Sequence, residues 1–374
     1  MSAPRENHRT GAALRRYATL LLLLACLGGC AGLPPGADFH KSQSSALATP
    51  AIQTLLGRHF ADAARAHGGN SGFRLVPSGF EGYLLRAQMF DAAQKTIDMQ
   101  YYIFHADDSG KLLLDAILRA ADRGVRVRLL VDDVESTGQD AQVEALSAHP
   151  NIEVRLFNPL RYRGNFKLLR GLELLFNAPR LDYRMHNKQL VIDNTAALVG
   201  GRNIGDEYFQ RDPQAQQGDF ETFAAGPIVQ ALSKSFDEFW ASVPAIPAEA
   251  LFSRRGDPQA LAQLRATLRD NKQEKRSDGS DFVAGVASGE PWRGIVDGRV
   301  ALVWAQASVE ADSPDKKAVD AGRRYGRLMS EVLADAVNGT REELDLISAY
   351  LIPGQEGMRL IADARGRGVQ VRVL

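Results

Sequence analysis

Arg184-Met185-His186-Asn187-Lys188-Gln189-Leu190-Val191-Ile192-Asp193, closed by Gly200-Gly201-Arg202-Asn203, decides how the rest of the chain is read. Leu190, Val191 and Ile192 are strand formers, Asp193-Asn194-Thr195 is turn chemistry, and Ala196 to Val199 is apolar again, so the stretch predicts a β-hairpin. Residues two apart on a strand share a face, which sets the imidazole of His186 beside the ammonium of Lys188. With the turn centred on Asn194, Lys188 faces Gly200 and His186 faces Arg202. Gly200 and Gly201 would then leave open space beside the pair for a ligand. Such a site suits a phosphodiester: His186 as nucleophile, Lys188 to neutralise non-bridging oxygens, Asn203 as a neutral donor to them. Asp193, five residues beyond Lys188, lies roughly 16 Å away along the strand, which makes it a turn and packing residue on geometry.

The run H-N-K-Q-L-V-I-D followed by G-G-R-N resembles the HxKxxxxD…G[GS]xN signature of the phospholipase D superfamily. Met185 to Lys188 and Gly200 to Phe209 resemble its bacterial cardiolipin-synthase branch, and the similarity extends through most of the chain after Phe80. The resemblance implies an α/β fold, a phospholipase D-like mixed sheet flanked by helices. It implies His186, Lys188 and Asp193 as the catalytic signature, with Gly200, Gly201, Arg202 and Asn203 on the substrate side. An acid on the following strand, Asp219 to Phe223, would orient the histidine: Glu221, with Asp219 as the fallback. The activity implied is phosphatidyl transfer to another lipid, or to water, through a phosphohistidine. No metal or organic cofactor is implied. A phosphodiesterase or nuclease of the same superfamily, or a membrane-tethered binding protein, are the rival readings.

Ahead of the hairpin, Thr96 to Phe104 reads as a strand, Gly110 to Arg123 as a helix with Leu113, Leu114, Ile117 and Leu118 inward, and Val125 to Val131 as a strand. Strand, helix, strand at this spacing predicts a parallel βαβ unit in a mixed, largely parallel sheet. Asp132-Asp133 then reads as a solvated strand end, because no His/Cys/Asp cluster at ligand spacing accompanies it. Asn165 to Phe176 alternates apolar and charged residues, either a lipid-facing lip or the edge of a core helix.

At 374 residues the chain can hold two domains, and 45% hydrophobic with 24% charged residues is an ordinary globular composition. Net charge is zero. Removing residues 1–29, with four arginines and one glutamate, turns 45 basic and 45 acidic side chains into 41 and 44. That lacks the basic excess of a non-specific nucleic-acid binder, so no nucleic acid is expected as a partner. Residues 1–30 read as a signal peptide: Arg15-Arg16, an apolar run too short to span a bilayer, then Leu27-Gly28-Gly29-Cys30. That ending resembles a bacterial lipobox, which implies a lipidated Cys30 as the bilayer anchor. Ala31 resembles the outer-membrane choice.

The domains expected are a tether at 31–75 with one short helix at Ala51 to Ala66, a first phospholipase D-like half at 76–244, a linker at 245–295 with one helix near Gln259 to Arg269, and the start of a second half at 296–374. The second half rests on an internal repeat. Leu344-Asp345-Leu346-Ile347 begins like Ile97-Asp98-Met99-Gln100, and Arg367 to Leu374 copies Arg123 to Leu130 almost residue for residue. The counterpart of His186 would fall beyond Leu374, as in a truncated reading frame. A monomer would then lack a second histidine, and self-association could supply one.

Overall fold

The computed structural model describes residues 41–374 apart from 49, 134–137, 161, 164–166, 177–180, 182, 212–217, 253–255, 316–327 and 349–350. The stretch read as a signal peptide, with Cys30, lies outside the described residues. In chain order, α1 (Leu55–Ala66) leads to β1 (Ser71–Val76), α2 (Gly79–Ala92), β2 (Thr96–Tyr101), α3 (Asp108–Asp122) and β3 (Arg126–Asp132). Then come α4 (Asp140–Ser147), β4 (Ile152–Phe157), α5 (Lys167–Phe176), the hairpin strands β5 (Gln189–Ile192) and β6 (Ala196–Gly200), β7 (Glu221–Ala225) and α6 (Ile228–Ala241). After β8 (Ala245–Pro247) and α7 (Ala248–Leu251) follow α8 (Pro258–Ser277), α9 (Asp281–Ser288), α10 (Trp292–Val296) and β9 (Val303–Ala305). The described chain closes with α11 (Met329–Gly339), β10 (Glu343–Leu346), α12 (Gly354–Gly366) and β11 (Gln370–Val373).

Among the described residues one nine-stranded sheet runs β8-β4-β3-β2-β5-β6-β7-β1-β9. Only β2 with β3 and β3 with β4 pair in parallel; the other neighbours are antiparallel. The sheet is mixed as expected, but not largely parallel. Short connections such as Asp193 to Thr195 can only reverse a strand, whereas parallel neighbours need a crossover helix. α3 is that crossover. Asp107 caps its start by accepting the Gly110 N–H at 3.0 Å. Gly124, at φ 91°, ends it, with the Val125 N–H donating to the Ala120 carbonyl. Leu113, Leu114, Ile117 and Leu118 are buried against Ile97, Met99, Val127 and Leu129 of the sheet. The opposite face is covered by α6, whose Val229 and Leu232 pack on Val191, Ala197 and Ala224.

Two expected boundaries move. Residues 41–75 are not a tether: Phe60 of α1 is in the core, β1 pairs with β7, and Arg128 and Arg155 donate to the Ser44 and Ser42 carbonyls. Residues 245–295 are not a linker. Leu264 and Leu268 bury a helical stripe of α8, and Gln88 of α2 donates to the Gly285 and Glu290 carbonyls. Both stretches hold the helix expected of them, but a turn-rich composition hid that a few apolar residues at helical spacing suffice to dock it. β9 even joins the edge of the first sheet through β1. The repeat itself folds as a second, two-stranded parallel pair, β10 with β11.

Candidate active site

The hairpin forms with the expected register. Ile192 pairs with Ala196 and Gln189 with Val199, and the Gly200 N–H donates to the Lys188 carbonyl at 3.3 Å. Asp193 and Asn194 both take positive φ, 51° and 52°, as a tight reversal requires of short polar side chains. β5 runs antiparallel to β2, with Gln189 opposite Gln100, so Lys188 and His186 reach past the carboxyl end of β2. In sheets of this kind that end is where ligands bind.

Lys188 is buried and His186 exposed. The Lys188 Nζ donates to the His186 carbonyl at 2.7 Å and stands 5.4 Å from the centre of the Tyr102 ring. The same ring lies 4.8 Å from the His186 imidazole, inclined at 52°. Tyr102 is therefore the surface on which both residues of the pair rest. Burial lowers the Lys188 pKa to about 8, while the Asp219 and Asp132 carboxylates pull it the other way. At neutral pH the ammonium keeps its charge without full hydration, and an incoming anion would relieve that.

Asn203 is buried, and its Oδ1 accepts the Ile103 N–H at 3.0 Å. That bond fixes which end of the amide is which and presents Nδ2 as the donor. Asp193 is fully buried at the far end of the hairpin, where its carboxylate accepts the backbone N–H groups of Gln94, Lys95 and Thr96. It ties the hairpin turn to the start of β2, in keeping with its reading as a turn and packing residue.

Glu221 does not accompany His186. It is buried between two guanidiniums, accepting from Arg86 Nη1 at 2.9 Å and Arg202 Nη1 at 2.8 Å, with a second contact from Arg86 Nη2. Against burial, which disfavours the charge, Glu221 holds the Arg86 pKa above its usual value. Arg202 is likewise engaged inward, with the Val76, Pro77 and Asp219 carbonyls completing its shell, so it is not a substrate contact. The fallback acid, Asp219, is the one whose charge reaches Lys188. Nor do the glycines leave room for a ligand. A Cβ on Gly200 would collide with the Phe220 carbonyl, and one on Gly201 with the Asp219 carboxylate. These positions are glycine because β7 and the segment before it press against them.

Asp132 and Asp133 correct a further expectation. Both are fully buried, not solvated. Asp132 accepts the Met185 N–H at 3.0 Å and Arg184 Nη1 at 3.0 Å, which anchors the segment that carries His186. Asp133 accepts the Leu160 N–H at 2.8 Å and Arg163 Nη1 at 2.6 Å, holding the chain after β4. The available signal was their position: carboxylates at the carboxyl ends of parallel strands, where the returning loops offer unpaired N–H groups. Tyr102, next to a strand end, was missed for want of any pattern.

Residues 87–240 match the family model described as Cardiolipin synthase, PLD-like domain. The chain is 34% identical to Cardiolipin synthase C of Escherichia coli (strain K12) over 309 residues, covering 82% of this chain and 63% of that protein. It is 35% identical to a Cardiolipin synthase of Clostridium perfringens (strain 13 / Type A) over 136 residues, 36% of this chain and 26% of that one. The chain thus spans less than two thirds of the length of these curated relatives. In fold it is similar to a phosphatidylserine synthase from Haemophilus influenzae Rd KW20, with a TM-score of 0.50 at 11% identity over 84% of this chain and 65% of that one.

Proposed function

The chain belongs to the phospholipase D superfamily, in its cardiolipin-synthase-like branch, and from that premise we propose that it transfers phosphatidyl groups through a phosphohistidine at His186. The observation that carries the reading is the pair itself: an exposed imidazole and a buried, partly desolvated ammonium on one tyrosine ring. An imidazole nitrogen of His186 attacks phosphorus, and the bond to the departing alcohol breaks. The Lys188 ammonium offsets charge on the non-bridging oxygens, and Asn203 Nδ2 donates to one of them. The departing alkoxide takes a proton, and an acceptor hydroxyl then loses one as it attacks phosphorus and releases the histidine. A second histidine is the natural carrier of that proton, and in this reading a second copy of the chain supplies it. Asp219 is the acid that this reading pairs with the site.

A phospholipid substrate also suits α5, the helix that follows β4, where Leu175 and Phe176 are 70% and 50% exposed. Those exposed side chains favour the lipid-facing lip over a core edge. The Leu27-Gly28-Gly29-Cys30 sequence supports anchoring in a bacterial envelope, the outer membrane in particular. With ten residues between Cys30 and Lys41, such a tether could reach about 35 Å. Among the described residues no helix is long and apolar enough to cross a membrane.

The test is product analysis with the full chain on vesicles containing phosphatidylglycerol. The expected products are cardiolipin and glycerol, or phosphatidic acid if water is the acceptor, both lost in His186→Ala. Untouched lipid together with cleaved nucleic acid would replace this reading with the nuclease one.

A further inference from the structure

Beside the active site, His105, Asp107 and Glu207 bring together one imidazole nitrogen and two carboxylate oxygens that all lie within 4.8 Å of one another. His105 and Asp107 follow β2, and Glu207 stands a hundred residues later, so no spacing in the sequence marks the group. We propose that these three side chains bind a transition-metal dication, Zn²⁺ or Mn²⁺, which fastens together the two loops that carry Tyr102 and Asn203.

The first support is charge. Asp107 and Glu207 are half-buried, and among the described residues neither pairs with a lysine or arginine, whereas neighbouring Asp108 and Asp206 pair with Arg211. Their one cationic candidate is His105, whose Nδ1 lies 3.1 Å from Glu207 Oε1. Two carboxylates facing each other in a partly desolvated place are what a bound dication stabilises.

The second support is that the ligands are already held. Asp107 accepts from the Gly110 N–H, the Ser109 hydroxyl and, at 2.7 Å, the Asp206 N–H. The His105 N–H donates to the Ile204 carbonyl at 2.9 Å, and Phe104 bridges Ile204. Glu207 folds back over Gly205, where a Cβ would meet its carboxylate at 2.7 Å. Around a tetrahedral ion with bonds of 2.0–2.2 Å, ligand atoms sit roughly 3.4 Å apart, which side-chain rotation alone achieves from here. One imidazole with two carboxylates suits Zn²⁺ or Mn²⁺ better than Ca²⁺, which prefers all-oxygen sites. On binding, the imidazole lends Nδ1 to the metal and carries its proton on Nε2.

The position gives the ion a purpose. Tyr102 lies three residues before His105, and Asn203 four before Glu207. The loops already touch through the Ile103 N–H to Asn203 Oδ1 and the Ile204 N–H to the Ile103 carbonyl. A metal at their far end would keep Tyr102 under the His/Lys pair and Asn203 beside it, acting on position and not on phosphorus.

The experiment is calorimetric titration of the chelator-stripped full chain with Zn²⁺ and Mn²⁺, alongside His105→Ala, Glu207→Gln and, as a control for surface histidines, His59→Ala. The expected result is one ion per chain at micromolar affinity or tighter, unchanged in His59→Ala and weakened at least about 100-fold in the other two. The melting midpoint of the parent should rise on metal addition and that of Glu207→Gln should not. Glu207→Gln preserves shape, so it carries the test should His105→Ala fail to fold. Absence of binding in the micromolar range, equal binding by Glu207→Gln, or a preference for Ca²⁺ would overturn the proposal. None of these readings depends on turnover.

Discussion

Two βαβ units, residues 96–132 and 343–373, place the same ion pair on the same register. Asp98 lies opposite Arg128 on β2 and β3, and Asp345 opposite Arg372 on β10 and β11. The Arg Nε to Asp Oδ1 distance is 2.6 Å in the first and 2.7 Å in the second. Both members are fully buried in the first unit, and 52% and 44% exposed in the second. In the first, α6 closes over the pair: Arg128 meets Asp237 at 2.8 Å and lies over the Phe236 and Trp240 rings. Burial pushes the Asp98 carboxyl up against the pull of Arg128, while Arg372 holds Asp345 below its usual range. Local sequence therefore sets strand pairing and even the ion pair, but what covers the pair decides its worth. Among the described residues the covered unit has strand ends, at Tyr102 and Asp132, that hold the His186 hairpin.

The largest effect that would test this difference is in Arg128→Met. It strands two carboxylates under α6 and should cost about 3–5 kcal/mol in urea unfolding. A cost near zero would mean that burial does not distinguish the two units. Next, Lys188→Met should stabilise the chain at pH 7 by up to about 3 kcal/mol, because burial lowers the Lys188 pKa to about 8. The sign follows from proton counting. Between pH 8 and 10.5 the unfolded lysine binds more protons than the folded one, so the parent gains stability as pH rises. The advantage of the variant should thus be full below pH 8 and fade above it, and a pH-independent difference would contradict the cause given. The same pKa predicts an alkaline limb in turnover near pH 8.

Asp193→Asn replaces an acceptor of three N–H groups with an amide that can serve two, at about 1–3 kcal/mol. The folded fraction should turn over as the parent does; a folded but inactive variant would make Asp193 more than a packing residue. Smallest of all, Arg372→Met should leave the unfolding midpoint unchanged, since its partners are as exposed as it is.

The hairpin was legible because its signals are local. A turn of Asp193-Asn194-Thr195 between apolar runs leaves one register, and that register alone removes Asp193 from the His186 end. What could not be read lies in long-range pairings. On the sequence Glu221 stands ahead of Asp219 as the acid beside the histidine. Nothing local shows that Arg86, 135 residues from Glu221, occupies its carboxylate. Gly200 and Gly201 looked like room for a ligand because nothing local says that β7 presses on them. Arg202 looked like a ligand contact for the same reason. The α8 helix was legible in itself, from the helical spacing of Leu261, Leu264 and Leu268, but nothing local showed that this stripe docks on the core.

The proposed reaction turns on His186 as the nucleophile at phosphorus. The full chain, incubated with phosphatidylglycerol and quenched at alkaline pH, where phosphohistidines survive, should give a peptide spanning His186 heavier by one phosphatidyl group. That adduct should be missing from His186→Ala. In Lys188→Ala it should form roughly 10²–10³ times more slowly. An adduct on another residue, or undiminished turnover by His186→Ala, would contradict the assignment.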